Sequence, residues 1–284
     1  MPSYSHPKSS AQQVQPDRRE PRPGITSDSA QNQKGGVGKT TTAVNLAVCL
    51  ARQAAGRVLA VDCDPQATMT RQLGIDVRTT ALTLVDVLAG RVGAADAVVP
   101  DVVTSVDVIA GARELSGVEM ALVDEVGRER FLAEALAPLL DRYSTVVLDT
   151  PPNLGLLTVN ALVCADVILG PVSCEDEASV QGLVELRSTV ARLGRLRDQA
   201  PELLTLLTRF VPTRVLSQVI EQALADLDLA PVVKVPARAA VGQAGAERIP
   251  LAISAPDGCV AMAYEQLVSR LEAARELEPE GALR

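Results

Sequence analysis

What most constrains this chain is an alternation of short, mostly apolar runs with longer stretches of helical periodicity. Arg57-Val58-Leu59-Ala60-Val61, Val106-Asp107-Val108-Ile109, Thr145-Val146-Val147-Leu148, Val167-Ile168-Leu169 and Leu203-Leu204-Thr205-Leu206-Leu207 read as buried strands. Between them Val44, Ala47, Val48 and Ala51 recur at helical spacing. Leu216, Val219, Ile220, Ala223, Leu224 and Leu227 do the same, as do Val260, Ala263, Tyr264, Leu267, Val268 and Leu271. Strands too apolar to keep one face wet, separated by amphipathic helices, imply a mostly parallel sheet covered on both sides. No internal repeat or low-complexity linker follows residue 25, so one α/β domain is expected over residues 25–275. A Pro- and Ser-rich stretch over 1–24 is expected to be a disordered tail, and 276–284 an acidic one.

Composition removes several chemistries. The single histidine, His6, lies in the N-terminal tail, so a Ser-His-Asp triad, a Cys-His pair or a His-ligated zinc has almost nothing to build on. Cys49, Cys63, Cys164, Cys174 and Cys259 include no CxxC pair; their odd number argues against a disulfide framework and for a reducing cytosol. No apolar run approaches the ~18 residues of a membrane-spanning helix. Residues 1–24 hold no apolar segment suited to a secretory signal. Three tyrosines, two phenylalanines and no tryptophan leave little with which to stack single-stranded bases. The net charge of −8 disfavours a wholly basic surface and leaves room for one local basic patch.

The chemistry concentrates in Lys34-Gly35-Gly36-Val37-Gly38-Lys39-Thr40-Thr41, which opens the first amphipathic helix. Glycines let backbone N–H groups turn inward around a phosphate chain, Lys39 can reach the β- and γ-phosphates, and the Thr40 hydroxyl suits Mg²⁺. The helix start adds the positive end of its dipole. Lys34, Gly35, Gly36, Val37, Gly38, Lys39, Thr40 and Thr41 are thus the candidate phosphate-binding residues. Asp62 and Asp149 each end an apolar run, where a carboxylate can hold a water of a Mg²⁺ shell. Asp64 stands in a Pro-containing turn.

The loop carries Gln33 where GxxxxGK[ST] has its first glycine, and Lys34 follows. That extra lysine resembles the deviant Walker A group of P-loop NTPases, which includes ParA and MinD. Residues 32–47 are similar to the ParA/Soj form of the loop, and Asp62-Cys63-Asp64-Pro65-Gln66 to that family's first switch. Asp149-Thr150-Pro151-Pro152-Asn153 looks like its Walker B aspartate and second switch, and Val235-Pro236-Ala237-Arg238 resembles a stretch near its base pocket. The resemblance extends from about residue 32 to 272. It implies a single-domain P-loop NTPase fold, ATP and Mg²⁺ as cofactors, and an ATP-dependent homodimer. In that dimer Lys34 would reach the partner's phosphates and Asp64 would orient the attacking water; both are catalytic candidates. Thr40, Asp62 and Asp149 would hold the metal and its shell, and Arg209 and Pro236 would lie near the base. Two departures stand out: Ile25-Thr26-Ser27-Asp28-Ser29-Ala30-Gln31 is polar where the family has an apolar first strand, and Ala237 separates Pro236 from Arg238.

The function so implied is ATP-dependent DNA partitioning by a cytoplasmic, nucleoid-associated ATPase. Its dimer would bind double-stranded DNA non-specifically and leave it on hydrolysis stimulated by a centromere-binding ParB-like partner. Arg187, Arg192, Arg195, Arg197, Arg209 and Arg214 face only Asp198 and Glu202 between residues 187 and 214; Arg214, Lys234 and Arg238 are the candidate DNA contacts. No added helix-turn-helix segment precedes the loop, so sequence-specific contact is not expected. A MinD-like membrane-cycling ATPase is the alternative, and it needs a basic amphipathic C-terminal helix. Residues 276–284 are acidic and broken by Pro279, so no membrane partner is expected. An iron–sulfur carrier of the same fold would want bridging cysteines, whereas Cys164 reads as core. Metabolic ligation and ATP binding without turnover also stay open.

Overall fold

The computed structural model describes residues 24–27, 36–53, 56–194 and 200–277; nearly all of both expected tails lies outside them. Eight strands form one sheet: β1 (Gly24–Ser27), β2 (Val58–Asp62), β3 (Val98–Val103), β4 (Val106–Ile109), β5 (Thr145–Asp149), β6 (Ala165–Ser173), β7 (Glu202–Phe210) and β8 (Pro231–Pro236). Their order is β3-β4-β2-β5-β1-β6-β7-β8, parallel except where β3 runs antiparallel to β4. The helices are α1 (Lys39–Gln53), α2 (Thr68–Gln72), α3 (Leu84–Leu88), α4 (Leu115–Leu122), α5 (Phe131–Leu136), α6 (Leu156–Cys164), α7 (Ala178–Leu193), α8 (Val215–Asp226), α9 (Ala240–Glu247), α10 (Leu251–Ser254) and α11 (Cys259–Leu277).

The apolar strands divide their side chains between two faces. Val58 and Ala60 of β2, Val106 and Val108 of β4, and Val147 of β5 join one core with α1 and α11. Leu59, Val61, Ile109, Val146 and Leu148 alternate to the opposite face, beneath α3, α4, α5 and α6. Farther along that face, Ile168 and Leu207 pack with α7 and α8. Period-two burial on both faces is what requires helices on either side. One polar residue in these runs is accounted for at the far end of the sheet: Asp107 accepts from Tyr143 Oη at 2.8 Å and pairs with Arg57, which also reaches Asp101 at 2.9 Å.

Three strands depart from the sequence expectation. Ile25, Thr26 and Ser27 of the polar segment form β1 with Gly24, at the centre of the sheet, with Ser27 level with Asp149 on one side and Leu169 on the other; residues 28–31 lie outside the described residues. Two flanking parallel ladders override its weak propensity. β3 and β8 escape the apolar pattern because each contains proline, which is tolerated at edges. β3 is bulged between Val99 and Val103, and Asp101 takes a left-handed φ of 49°. β8 has proline at both ends and Lys234 exposed between them, which suits an edge that must not pair further.

Candidate nucleotide site

The sheet brings the C-terminal ends of β1, β2 and β5 into one row, with Ser27, Asp62 and Asp149 in register. The described part of the phosphate loop, Gly36 to Gly38, leads into α1. Gly36 and Gly38 have φ of 131° and 95°, which side-chain-bearing residues rarely adopt, and Gly38 also packs close to Thr208. Gly38 O then accepts from Thr42 N at 2.8 Å, so the helix starts with Lys39, Thr40 and Thr41 half-buried in its first turn. The amides of such a turn have no partner within the helix and face whatever anion occupies the loop. β7 pins the loop from the other side: Thr208 Oγ1 donates to Val37 O at 2.8 Å. Tyr264 of α11 shares a hydroxyl contact of 3.2 Å with Thr42, and Asn45 joins Thr41 O to Ala252 N, so α1 is held from behind. Lys34 and Gly35 lie outside the described residues.

The three aspartates have different surroundings. Asp62 is fully buried, and its oxygens accept from Thr70 N at 2.8 Å, Thr70 Oγ1 at 2.7 Å and Asp64 N at 3.1 Å. Burial pushes its carboxyl up to about 6 against the pull of those donors. Its oxygens therefore hold the turn that carries Asp64 in place. Asp64, 8 % exposed, accepts from Gln66 N at 2.8 Å through Oδ1, and Oδ2 has no partner among the described residues. Asp149 is 0 % exposed, and neither oxygen has a hydrogen-bond partner; among the described residues it alone has such orphaned buried side-chain atoms. Burial pushes it well above the usual carboxylate range and the charge of Asp62 adds to this. The nearby Thr40 hydroxyl and Lys39 ammonium oppose the shift, although Thr40 is not within bonding geometry.

A buried carboxylate without donors is stable as an anion only beside a cation. Asp149 faces Thr40 across the loop, and such a donor set fits Mg²⁺, which takes one or two protein oxygens and completes its shell with phosphate and water. No group of three or more His, Cys, Asp or Glu side chains capable of caging a metal occurs among the described residues.

The segment that resembles a second switch follows Asp149. Thr158 Oγ1 donates to Asn153 O at 2.6 Å, and Asn160 joins Leu132 N to the carbonyls of Arg128 and Leu156. Glu119 of α4 accepts from Leu157 N at 3.2 Å and fits beside Gly155, where a Cβ would collide with it. Glu119 was not among the sequence candidates, because its contact lies 38 residues away.

The basic candidates do not all meet. Arg209, near the end of β7, has a left-handed φ of 52°, and its guanidinium lies against Gly36 of the phosphate loop. It donates to Glu175 Oε2 at 2.6 Å, and Arg214, at the start of α8, reaches Oε1 of the same residue at 3.4 Å. Those two arginines hold the Glu175 carboxyl below its usual range, Arg209 most strongly. Lys234 is paired with Glu221 at 2.5 Å and stacks on Phe210, and Arg238 bonds the carbonyl of Ala237. Pro236 pairs with Phe210 in the ladder. Arg187 bonds Leu227 O and Arg192 bonds Thr189 within α7; Arg195 and Arg197 lie outside the described residues.

A model of the AAA domain family matches residues 28–202. An uncharacterized protein of Mycobacterium tuberculosis is 37 % identical over 250 residues, covering 84 % of this chain and 76 % of its own length. The sporulation initiation inhibitor protein Soj of Bacillus subtilis is 43 % identical over 159 residues, which span 56 % of this chain and 62 % of Soj. The chain belongs to the ParA/MinD family of P-loop NTPases. Among solved structures, cobyrinic acid a,c-diamide synthase from Mycobacterium smegmatis, with an ATP analogue and magnesium bound, is 28 % identical with a TM-score of 0.74, covering 90 % of this chain and 97 % of that one. Membership of the ParA/MinD family agrees with the row of strand ends, the loop and the orphaned Asp149. No helix among the described residues is long and apolar enough to cross a membrane.

Proposed function

We propose that this chain is a DNA-partitioning ATPase that binds Mg²⁺·ATP, dimerises, holds duplex DNA without sequence choice and lets go on hydrolysis. The observation that carries the nucleotide half is Asp149, fully buried with both oxygens unpartnered beside Lys39 and Thr40. In this reading the Gly36–Gly38 amides and the first turn of α1 bind the phosphates, and Lys39 counters the β/γ charge. Thr40 and Asp149 would hold Mg²⁺, which would supply positive charge to the phosphoryl group in transfer. Asp62 fixes the turn that carries Asp64, and Asp64 orients the attacking water with its unpartnered oxygen. Lys34 supplies a cation to the partner's phosphates.

Similarity to Soj and the basic residues near the ends of β7 and β8 support the DNA half, with Arg214 and Arg238 as contacts, Lys234 beside them and a nucleoid location. A centromere-bound ParB-like protein would accelerate hydrolysis. Turnover measured alone, with duplex DNA and with anionic liposomes tests this reading. Stimulation by DNA supports it, stimulation only by liposomes replaces it with membrane cycling, and stimulation by neither refutes the partitioning role.

A further inference from the structure

Glu175 stands just beyond the end of β6, and its carboxylate is divided between two cations from separate places. Arg209 Nη1 holds Oε2 at 2.6 Å while Arg214 Nη1 holds Oε1 at 3.4 Å. The bulge between Leu207 and Phe210 and the left-handed φ of Arg209 turn its side chain out of the strand alternation and toward Gly36. Arg214 instead opens α8, on the surface assigned above to DNA. The three side chains are 49 %, 43 % and 41 % exposed, so a phosphate can reach either arginine.

We propose that Glu175 is a positioning residue that sets how much of the Arg214 charge is offered to DNA, with Arg209 as the competitor for its carboxylate. This rests on the DNA-partitioning reading. One negative charge faces two positive ones, and the closer bond belongs to Arg209, so Arg214 is only partly neutralised. A DNA phosphate that draws Arg214 away leaves Glu175 to Arg209. The two arginines thereby compete for one carboxylate, and loss of Arg209 hands all of it to Arg214. The consequence is a brake: one subunit offers DNA only part of the Arg214 charge, and binding depends on two subunits acting together.

A double-mutant cycle on the full chain tests this, using Glu175→Gln, Arg209→Gln and the double variant. Fluorescence anisotropy reads binding to a random-sequence duplex at saturating Mg²⁺·ATP over a salt series. Glu175→Gln should tighten binding by about 3- to 10-fold, the size of coupling seen between charges sharing a partner, and steepen the log–log salt slope by about one. Arg209→Gln should weaken binding several-fold when Glu175 is present and leave it unchanged in the Glu175→Gln background. Equal weakening in both backgrounds would mean that Arg209 touches DNA itself and would overturn the proposal, as would a Glu175→Gln variant identical to wild type. Wild-type protein that binds no duplex in any nucleotide state overturns the DNA reading and this role with it. Wild-type binding with no coupling overturns this role alone.

Discussion

Replacing Asp149 with asparagine should make the nucleotide-free protein more stable while removing its response to Mg²⁺·ATP. Asp62, equally buried but supplied with three hydrogen-bond contacts, is already pushed from 3.8 to about 6. Asp149 has none of these and is 0 % exposed; burial, with the charge of Asp62, pushes its carboxyl well above the usual range. Each unit of such a shift is about 1.4 kcal/mol, and near neutral pH it counts against the folded chain. Asparagine keeps the shape without the charge and leaves about 1–2 kcal/mol of unmet hydrogen bonding. Relief of the buried carboxyl outweighs this, so the variant should melt above wild type, each kcal/mol being worth roughly 2–4 °C in a domain of this size.

The pH dependence has a definite sign. A carboxyl whose folded pKa is raised holds its proton in the folded chain when the unfolded chain has lost it, so stability falls as pH rises through that window. The gap between Asp149→Asn and wild type should therefore be wide at about pH 7.5 and narrow at about pH 5. Scanning calorimetry of the nucleotide-free proteins at both pH values measures it. Saturating Mg²⁺·ATP should then raise the wild-type Tm and leave the variant nearly unmoved. A variant that melts below wild type at about pH 7.5, or a gap indifferent to pH, would refute the reading of Asp149 as a buried carboxyl that becomes a stable anion only beside a cation.

Other substitutions separate the steps. Lys39→Ala should abolish triphosphate binding measured by calorimetric titration, since the β/γ charge loses its nearest counter-charge. Lys34→Ala should retain ATP binding but stay monomeric in light scattering with ATP; an unchanged dimer removes its cross-subunit role. Asp64→Ala should dimerise and hold DNA while single-turnover hydrolysis slows by about 100-fold or more; normal turnover would transfer the water-positioning role elsewhere. Thr208→Val leaves the Val37 carbonyl without its 2.8 Å donor and should cost about 1–3 kcal/mol in urea unfolding, with weaker ATP affinity.

Much of the fold is legible in the chain because parallel strands buried on both faces leave unbroken apolar runs, as in β2 and β5. The strands that evade this reading do so for physical reasons. β3 and β8 are edges with proline, and β1 is a polar strand sustained by ladders on both sides. In the site, the phosphate loop and the three aspartates are local motifs and stand out by spacing. The division of labour among those aspartates is not local: Thr70, eight residues from Asp62, occupies its oxygens, while nothing occupies those of Asp149. Likewise Thr208 and Val37 are 171 residues apart, and Glu175 is 34 and 39 residues from its two arginines. Only the sheet order brings such groups together, so spacing along the chain carries no trace of them.

The most direct measurement is duplex DNA binding by the wild-type chain with Mg²⁺·ATP and with Mg²⁺·ADP, across salt, beside Arg214→Glu. Tight, salt-sensitive binding with ATP alone is the predicted result, lost in Arg214→Glu although that variant still dimerises on ATP. Equal binding with ADP and ATP, or binding indifferent to salt and to the charge reversal, would contradict the account.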